Sequence, residues 1–230
     1  AKYGRVVVVA PNGPRSAQSS ALTIEVPVSV KPVPSDNENI TQYAVSGTPA
    51  DCVKLAISQL LDEKPDLVIS GINHGSNASI NVIYSGTIGA AIEGALHGIP
   101  SIGFSLCDHD ADADFAPMLP YVRRIAEEVL VHGLPKGTCL NVNVPKGAEL
   151  KGVRICRQTD ASWGNEWCRG QHPKGGEYFW LTGKFTNNEP DAEETDRWAL
   201  EHGYVAITPI QIDMTAYGLI DELNTWNLDV

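Results

Sequence analysis

Asp66-Leu67-Val68-Ile69-Ser70-Gly71-Ile72-Asn73-His74-Gly75-Ser76-Asn77 is the stretch on which the reading of this chain turns. A short apolar run rich in β-branched residues passes straight into glycine and asparagine, which predicts a buried strand opening into a turn-rich loop. Downstream, a small-residue helix over Ile88 to Leu96 ends at Gly98, and Ile99 to Leu106 reads as the next strand. A helix over Asp114 to Val131 ends near Gly133, and Cys139 to Val144 gives a further strand. Upstream, Arg5-Val6-Val7-Val8-Val9-Ala10 has the continuous apolar character of a strand buried on both faces. Thr48-Pro49-Ala50-Asp51 opens a helix to about Leu61, with a Thr cap, Pro at the first helical position and an acid three residues on. Strand alternating with helix in this way predicts an open, mostly parallel α/β sheet with helices on both faces.

The pattern changes at both ends. Lys2-Tyr3-Gly4 reads as the tail of a helix with its terminating glycine, so the first strand is expected to follow a β-α unit lying upstream of Ala1. Leu22, Ile24, Val26, Val28 and Val30 alternate with polar residues and Pro27, which predicts a half-buried edge strand. Beyond Pro145 come short strands (Val153–Cys156, Tyr178–Leu181), an acidic stretch from Glu189 to Asp196 and a short helix to Gly203. The strand Tyr204–Ile212 and a helix near Tyr217–Trp226 complete the chain. The expected division is a core over residues 1–146 and, over 147–230, a C-terminal β-hairpin and helix extension that returns the last core strand.

The 230 residues carry 17 Lys and Arg against 28 Asp and Glu, a net charge of −11. That balance argues against a nucleic-acid polymer as partner and against docking on anionic lipid. Residues 1–105 hold 6 basic and 8 acidic side chains, and residues 106–230 hold 11 and 20, so an anion site is easier to place in the first half. No apolar run approaches the roughly 20 residues that span a bilayer, so no membrane partner is expected. Five cysteines without a CxxC pair read as reduced thiols of a cytoplasmic protein.

Three segments carry chemistry, each with a plainer alternative. The loop through Asn73, Gly75 and Asn77 follows a buried strand, at the carboxyl edge where open α/β sheets bind ligands; the alternative is a connection in which Asn and Gly serve positive φ angles. Tyr84-Ser85-Gly86-Thr87 opens a helix whose free N–H groups and dipole suit a phosphate, unless Ser85 or Thr87 simply caps it. In Pro11-Asn12-Gly13-Pro14-Arg15-Ser16, Arg15 can pair with an anion and Ser16 can ligate a hard cation, or the segment is a serine-rich surface loop. Asp108 to Asp114 resembles a calcium loop but lacks its glycine and final glutamate, and reads as an acidic helix start. His74 reads as a support and Glu93 as a paired structural acid; the remaining histidines lack metal-ligand spacing.

Together these segments resemble the SurE (survival protein E) family of metal-dependent nucleotidases. The matching stretches include Val8-Val9-Ala10-Pro11, Arg15-Ser16, Gly47-Thr48-Pro49-Ala50-Asp51-Cys52, Ser70 to Asn77 and Tyr84-Ser85-Gly86-Thr87. Gly89 to Gly94, Leu140-Asn141-Val142-Asn143-Val144-Pro145 and Thr208-Pro209-Ile210 also match. The resemblance implies a Rossmann-like core, hydrolysis of nucleoside 5′- or 3′-monophosphates with short polyphosphate as a further substrate class, and a C-terminal arm used in homodimer or homotetramer assembly. It implies a Mg²⁺ or Mn²⁺ ion held by Ser16, Asn73 and two aspartates of an Asn-Asp-Asp-Gly turn. That turn is not in this sequence, so both aspartates are expected upstream of Ala1. Asn77, Gly75, Ser85, Gly86, Thr87 and Arg15 are the expected phosphate and substrate contacts. Ala17 departs from the glycine that usually follows the serine. A non-catalytic phosphate- or nucleotide-binding module is the competing reading, since half the expected ligands lie outside these residues.

Overall fold

The computed structural model describes residues 3–147 and 149–228. Lys2, in the expected helix tail, lies outside the described residues; Tyr3 and Gly4 form a bend. In chain order, β1 (Val6–Pro11), β2 (Val30–Val33) and β3 (Ile40–Val45) lead into α1 (Pro49–Leu55), which a π turn extends over Ala56–Leu60. Then follow β4 (Val68–His74), α2 (Asn81–Tyr84), α3 (Gly86–Leu96), β5 (Ser101–Cys107), α4 (Leu119–His132) and β6 (Thr138–Pro145). The C-terminal part contributes β7 (Val153–Ile155), β8 (Ala161–Gly164), β9 (Trp167–Gln171), β10 (Glu177–Leu181), β11 (Lys184–Asn187), α5 (Asp196–Glu201), β12 (Val205–Gln211) and α6 (Tyr217–Leu223).

The main sheet has the order β4-β5-β6-β12-β7. The pairs β4–β5, β5–β6 and β12–β7 are parallel, whereas β12 runs antiparallel to β6. The expected mostly parallel α/β sheet is therefore present, with its last core strand reversed. Helices cover both faces, as the alternation of β5 requires. Ile102, Phe104 and Leu106 enter a core with Met118, Ile125 and Val129 on the α4 side. Gly103 and Ser101 face the other way, under Ile88 and Gly94 of α3. A Cβ on Gly103 would lie 2.5 Å from Ile88, so Gly103 and the small residues of α3 are what allow helix and strand to pack closely.

The helix start at Thr48 forms as the sequence dictates. Thr48 Oγ1 accepts from the Asp51 amide at 3.1 Å, and the Asp51 carboxylate accepts from the Thr48 amide at 2.8 Å, a reciprocal capping box. Asp51 also accepts from the Thr23 amide. Burial pushes its carboxyl pKa up, but the hydrogen bonds from Thr23 and Thr48 outweigh burial and hold it below the ordinary value.

Two expectations are corrected. The alternation over 22–30 does not make a strand: residues 21–29 are irregular, only Val30–Val33 pairs, and Ile24 is 87 % exposed. Periodicity alone cannot hold a strand when no neighbour supplies its hydrogen bonds. Nor is β1 buried on both faces. It belongs to a separate sheet, β1-β3-β2, and its residues alternate between exposed and partly buried. Among the described residues its second edge has no partner strand, and neither has the outer edge of β4. The helical layer is nevertheless shared, since α1 packs on both β1 and α3 while α3 packs on β4.

Candidate active site

The loops that follow β1, β4 and β5 gather at the carboxyl ends of these strands, where open α/β sheets place their ligands. The strand predicted to stop at Ser70 runs on to His74, with a register irregularity between Ser70 and Asn73 and a cis Gly71–Ile72 peptide. Asn73 thus sits on the last turn of pleat, paired with Ser105, and the loop proper begins at Gly75. The Asn73 amide nitrogen donates to the Gly75 carbonyl at 3.0 Å, which orients the side chain and leaves Oδ1 as the ligand atom it can present. Gly75 has φ +92°, and a Cβ there would meet the His109 ring at 2.2 Å. Only glycine lets that loop take a left-handed turn directly beneath an imidazole.

Asn77 is held from the sheet. Its amide donates to Asn143 Oδ1 at 2.8 Å, its carbonyl accepts from Asn141 Nδ2 at 2.8 Å, and its own Nδ2 donates to Ser105 Oγ at 2.5 Å. Asn143 Nδ2 closes the network on Asn141 Oδ1 at 2.8 Å. Two asparagines on one face of β6 therefore replace a strand as partners of the loop backbone, satisfying groups that would otherwise be buried unpaired. Sequence reasoning did not assign this role to Asn141 and Asn143. Two amides at alternate positions of an otherwise apolar strand were the available signal.

At the start of α3, Ser85 is buried and its Oγ accepts from the Ile88 amide at 3.1 Å, so its hydroxyl is an N-cap. The first-turn amides of Gly86 and Thr87 have no intrahelical acceptor and lie at the positive end of the helix dipole. The loop carrying Ser16 packs against the same helix. Ser19 Oγ donates to the Ile83 carbonyl at 2.7 Å, and the Ser19 amide donates to the Tyr84 carbonyl at 3.0 Å. Gly89 makes this contact possible, because a Cβ would lie 2.2 Å from the Ser19 carbonyl oxygen. Ala17 and Ser19 both adopt positive φ, +54° and +50°, conformations that favour glycine. Ser16, immediately before Ala17, is exposed. Arg15, an expected anion contact, spends its guanidinium on the carbonyls of Gly47 (3.2 Å) and Ser46 (2.7 Å), tying this loop to the start of α1.

Other polar side chains are engaged structurally. Glu93 is buried and pairs with Lys54 at 2.7 Å and His97 at 3.1 Å. Lys146 bridges Asp108 and Asp110, and His74 packs edge-on against Phe115. All five cysteines are unpaired. Burial pushes the thiols of Cys52 and Cys139 up to about 12 and those of Cys107 and Cys156 up to about 11. No helix among the described residues is long and apolar enough to cross a membrane.

The fold and this edge define an open α/β protein whose glycine-rich strand–loop and small-residue helix start converge on one rim. The family described as Survival protein SurE matches residues 1–165. The chain belongs to the SurE family. It is 62 % identical to the 5'-nucleotidase SurE of Phocaeicola vulgatus over 99 % of this chain and 88 % of that protein. It is 42 % identical to the 5'-nucleotidase SurE of Caldanaerobacter subterraneus over 98 % of this chain and 88 % of that protein. A crystal structure of the SurE protein from Aquifex aeolicus matches with a TM-score of 0.81 at 35 % identity, over 97 % of this chain and 89 % of that one.

Proposed function

We propose that this protein is a phosphoric monoester hydrolase that releases phosphate from nucleoside 5′-monophosphates with the help of a divalent cation. The observation that carries the reading is the packing of two elements on the same strand: Asn73, with its amide oxygen presented, pairs with Ser105 of β5, and the α3 start, with the first-turn amides of Gly86 and Thr87, packs on Gly103 of that strand. The names of relatives up to 62 % identical support the substrate class; 3′-monophosphates and short polyphosphate extend it. The fold division at residue 146, a cytoplasmic setting for the unpaired thiols and a homo-oligomer built on the C-terminal arm belong to the same reading. The exposed aromatic hairpin β9–β10, with Trp167, Phe179 and Trp180 more than half exposed, supports the last of these.

The donor types at the rim suit Mg²⁺ or Mn²⁺: a hydroxyl from Ser16 and an amide oxygen from Asn73 are hard oxygen ligands. Both are neutral, and among the described residues no group of three or more His, Cys, Asp or Glu is placed to hold a metal. The anionic ligands of this reading are the two aspartates expected upstream of Ala1. We place them on a parallel strand inserted between the open edges of β1 and β4, delivered by chain upstream of Ala1. Such a strand would end at the same rim as Asn12 and Asn73, and would cover Val6, Val8 and Ile69, which are 36 %, 39 % and 48 % exposed.

When bound, the cation supplies charge neutralisation of the phosphoryl oxygens and a water of lowered pKa. The chain's own residues do the rest. Gly86 and Thr87 hold phosphate oxygens through backbone amides, and Ser85 keeps the helix start rigid by capping it. Asn73 presents Oδ1 in a fixed direction, and Gly75 and Asn77 shape the floor of the site. Arg15 acts by anchoring the Ser16 loop. The test is phosphate release from AMP by the full-length protein with and without EDTA. Loss on chelation and recovery with Mn²⁺ is expected, and activity indifferent to EDTA would reject the reading. A protein of these 230 residues alone is expected to hydrolyse little.

A further inference from the structure

The C-terminal extension touches the site loop at one fully buried carboxylate. Asp196, at the first position of α5, is 1 % exposed. Its Oδ2 accepts from the Ser79 amide at 2.8 Å; its Oδ1 accepts from the Thr159 hydroxyl at 2.6 Å and the Thr159 amide at 3.2 Å. Ser79 is fully buried and holds a left-handed φ of +56°, and its hydroxyl donates to the Thr159 carbonyl at 2.9 Å. The Arg197 amide donates back to Thr159 Oγ1 at 3.0 Å. Ser79 thus has both of its donors, hydroxyl and amide, committed to residues 80 and 117 positions away. A left-handed serine persists only where its surroundings over-determine it.

We propose that Asp196, acting with Thr159, is a positioning residue for the reaction. It fixes Ser79 and so sets where the loop from Asn73 to Asn77 ends and where α2 and the α3 start begin. The sheet clamps the loop at Asn77 through Asn141 and Asn143, and Asp196 clamps it two residues later from the extension. Between these clamps the loop has no freedom to shift relative to Gly86 and Thr87. The proposal rests on the nucleotidase reading of this rim.

Asparagine at 196 cannot replace the carboxylate. Three donors converge on its two oxygens, so whichever way the amide faces, one backbone N–H meets an NH₂ group. In the full-length Mn²⁺-loaded protein, Asp196→Asn is expected to lower kcat for AMP at least tenfold with KM changed less than threefold. Hydrogen exchange in the peptide 74–83 should quicken at least tenfold, with the peptide 101–107 unchanged. Thr159→Val should move the same quantities in the same directions, and Thr159→Ser, which keeps the hydroxyl, should stay within twofold of the parent. If Asp196→Asn does not fold, the Thr159 pair decides alone.

The positioning role is overturned if kcat stays within twofold while the 74–83 peptide opens. It is also overturned if exchange quickens equally at 101–107, or if Thr159→Ser falls as far as Thr159→Val. The two readings fail separately: Asn73→Ala that abolishes activity beside an Asp196→Asn that preserves it removes only the positioning role. Full activity in Asn73→Ala removes the site assignment, and the positioning role with it.

Discussion

Replacing Gly89 by alanine puts a methyl carbon 2.2 Å from the carbonyl oxygen of Ser19 and 2.7 Å from its carbonyl carbon. Ordinary contact between such atoms begins near 3.4 Å, so helix and loop must part by about 1 Å. Neither obstacle is a flexible side-chain tip. The loop is tied down by the Ser19 bonds to Ile83 and Tyr84 and by the Arg15 bonds to Ser46 and Gly47. Overpacking of this kind costs about 1–3 kcal/mol, and alanine returns about 1 kcal/mol of helix propensity. The net loss is therefore about 0–2 kcal/mol, and Tm should fall by no more than about 8 °C. Activity should suffer more, because the strain is relieved by moving Ser16 away from the α3 start, and a displacement of about 1 Å at a reacting centre costs up to about 100-fold. The assay is Mn²⁺-dependent phosphate release from AMP by the full-length protein, with Tm measured on the same sample. A tenfold or larger fall in kcat/KM with a Tm within 8 °C is expected. Activity within twofold of the parent would refute the argument that the Ser16 loop and α3 form one site.

Two further outcomes concern stability. Thr48→Ala removes one half of the capping box and should cost about 1 kcal/mol, lowering Tm by about 2–4 °C; because the Asp51 carboxyl pKa is depressed in the fold, its share of stability is present above about pH 4 and lost as pH falls below it. At the alkaline end, the thiols of Cys52 and Cys139 titrate near 12 in the fold but near 9 when unfolded. Each should therefore withdraw about 1 kcal/mol of stability between pH 8 and pH 10. Urea unfolding at the two pH values checks this, and Cys→Ala at both positions should shrink the difference, leaving the share of Cys107 and Cys156.

Much of the core was legible because its signals are local. The Thr48 cap, Pro49 and Asp51 lie within four residues and form the helix start they spell. The small residues of α3 stand out in its sequence, although only the fold shows that they let the helix lie close on Gly103 of β5. What escaped was non-local. Nothing within Tyr204–Ile212 says that β12 would reverse and pair with β6, and the clean alternation of Leu22 to Val30 gave no sign that no strand would accept it. Of the proposed site, the placement of Asn73, Gly75 and the α3 start at one sheet edge was readable from glycine spacing and strand position. The roles of Ser85 and Arg15 were not, since a hydroxyl that caps and a guanidinium that holds carbonyls look the same in sequence as ones awaiting phosphate. The hold of Asp196 on Ser79 spans 117 residues and leaves no local trace.

The most direct measurement is a Mn²⁺ titration of phosphate release from AMP, comparing the full-length protein with its Asn73→Ala variant. Asn73 is expected to supply an amide oxygen to the cation, so the variant should lose at least tenfold in rate and need more Mn²⁺ for half activation, with EDTA silencing both proteins. Equal rates and superimposable Mn²⁺ curves would contradict the assignment of the active site to this rim.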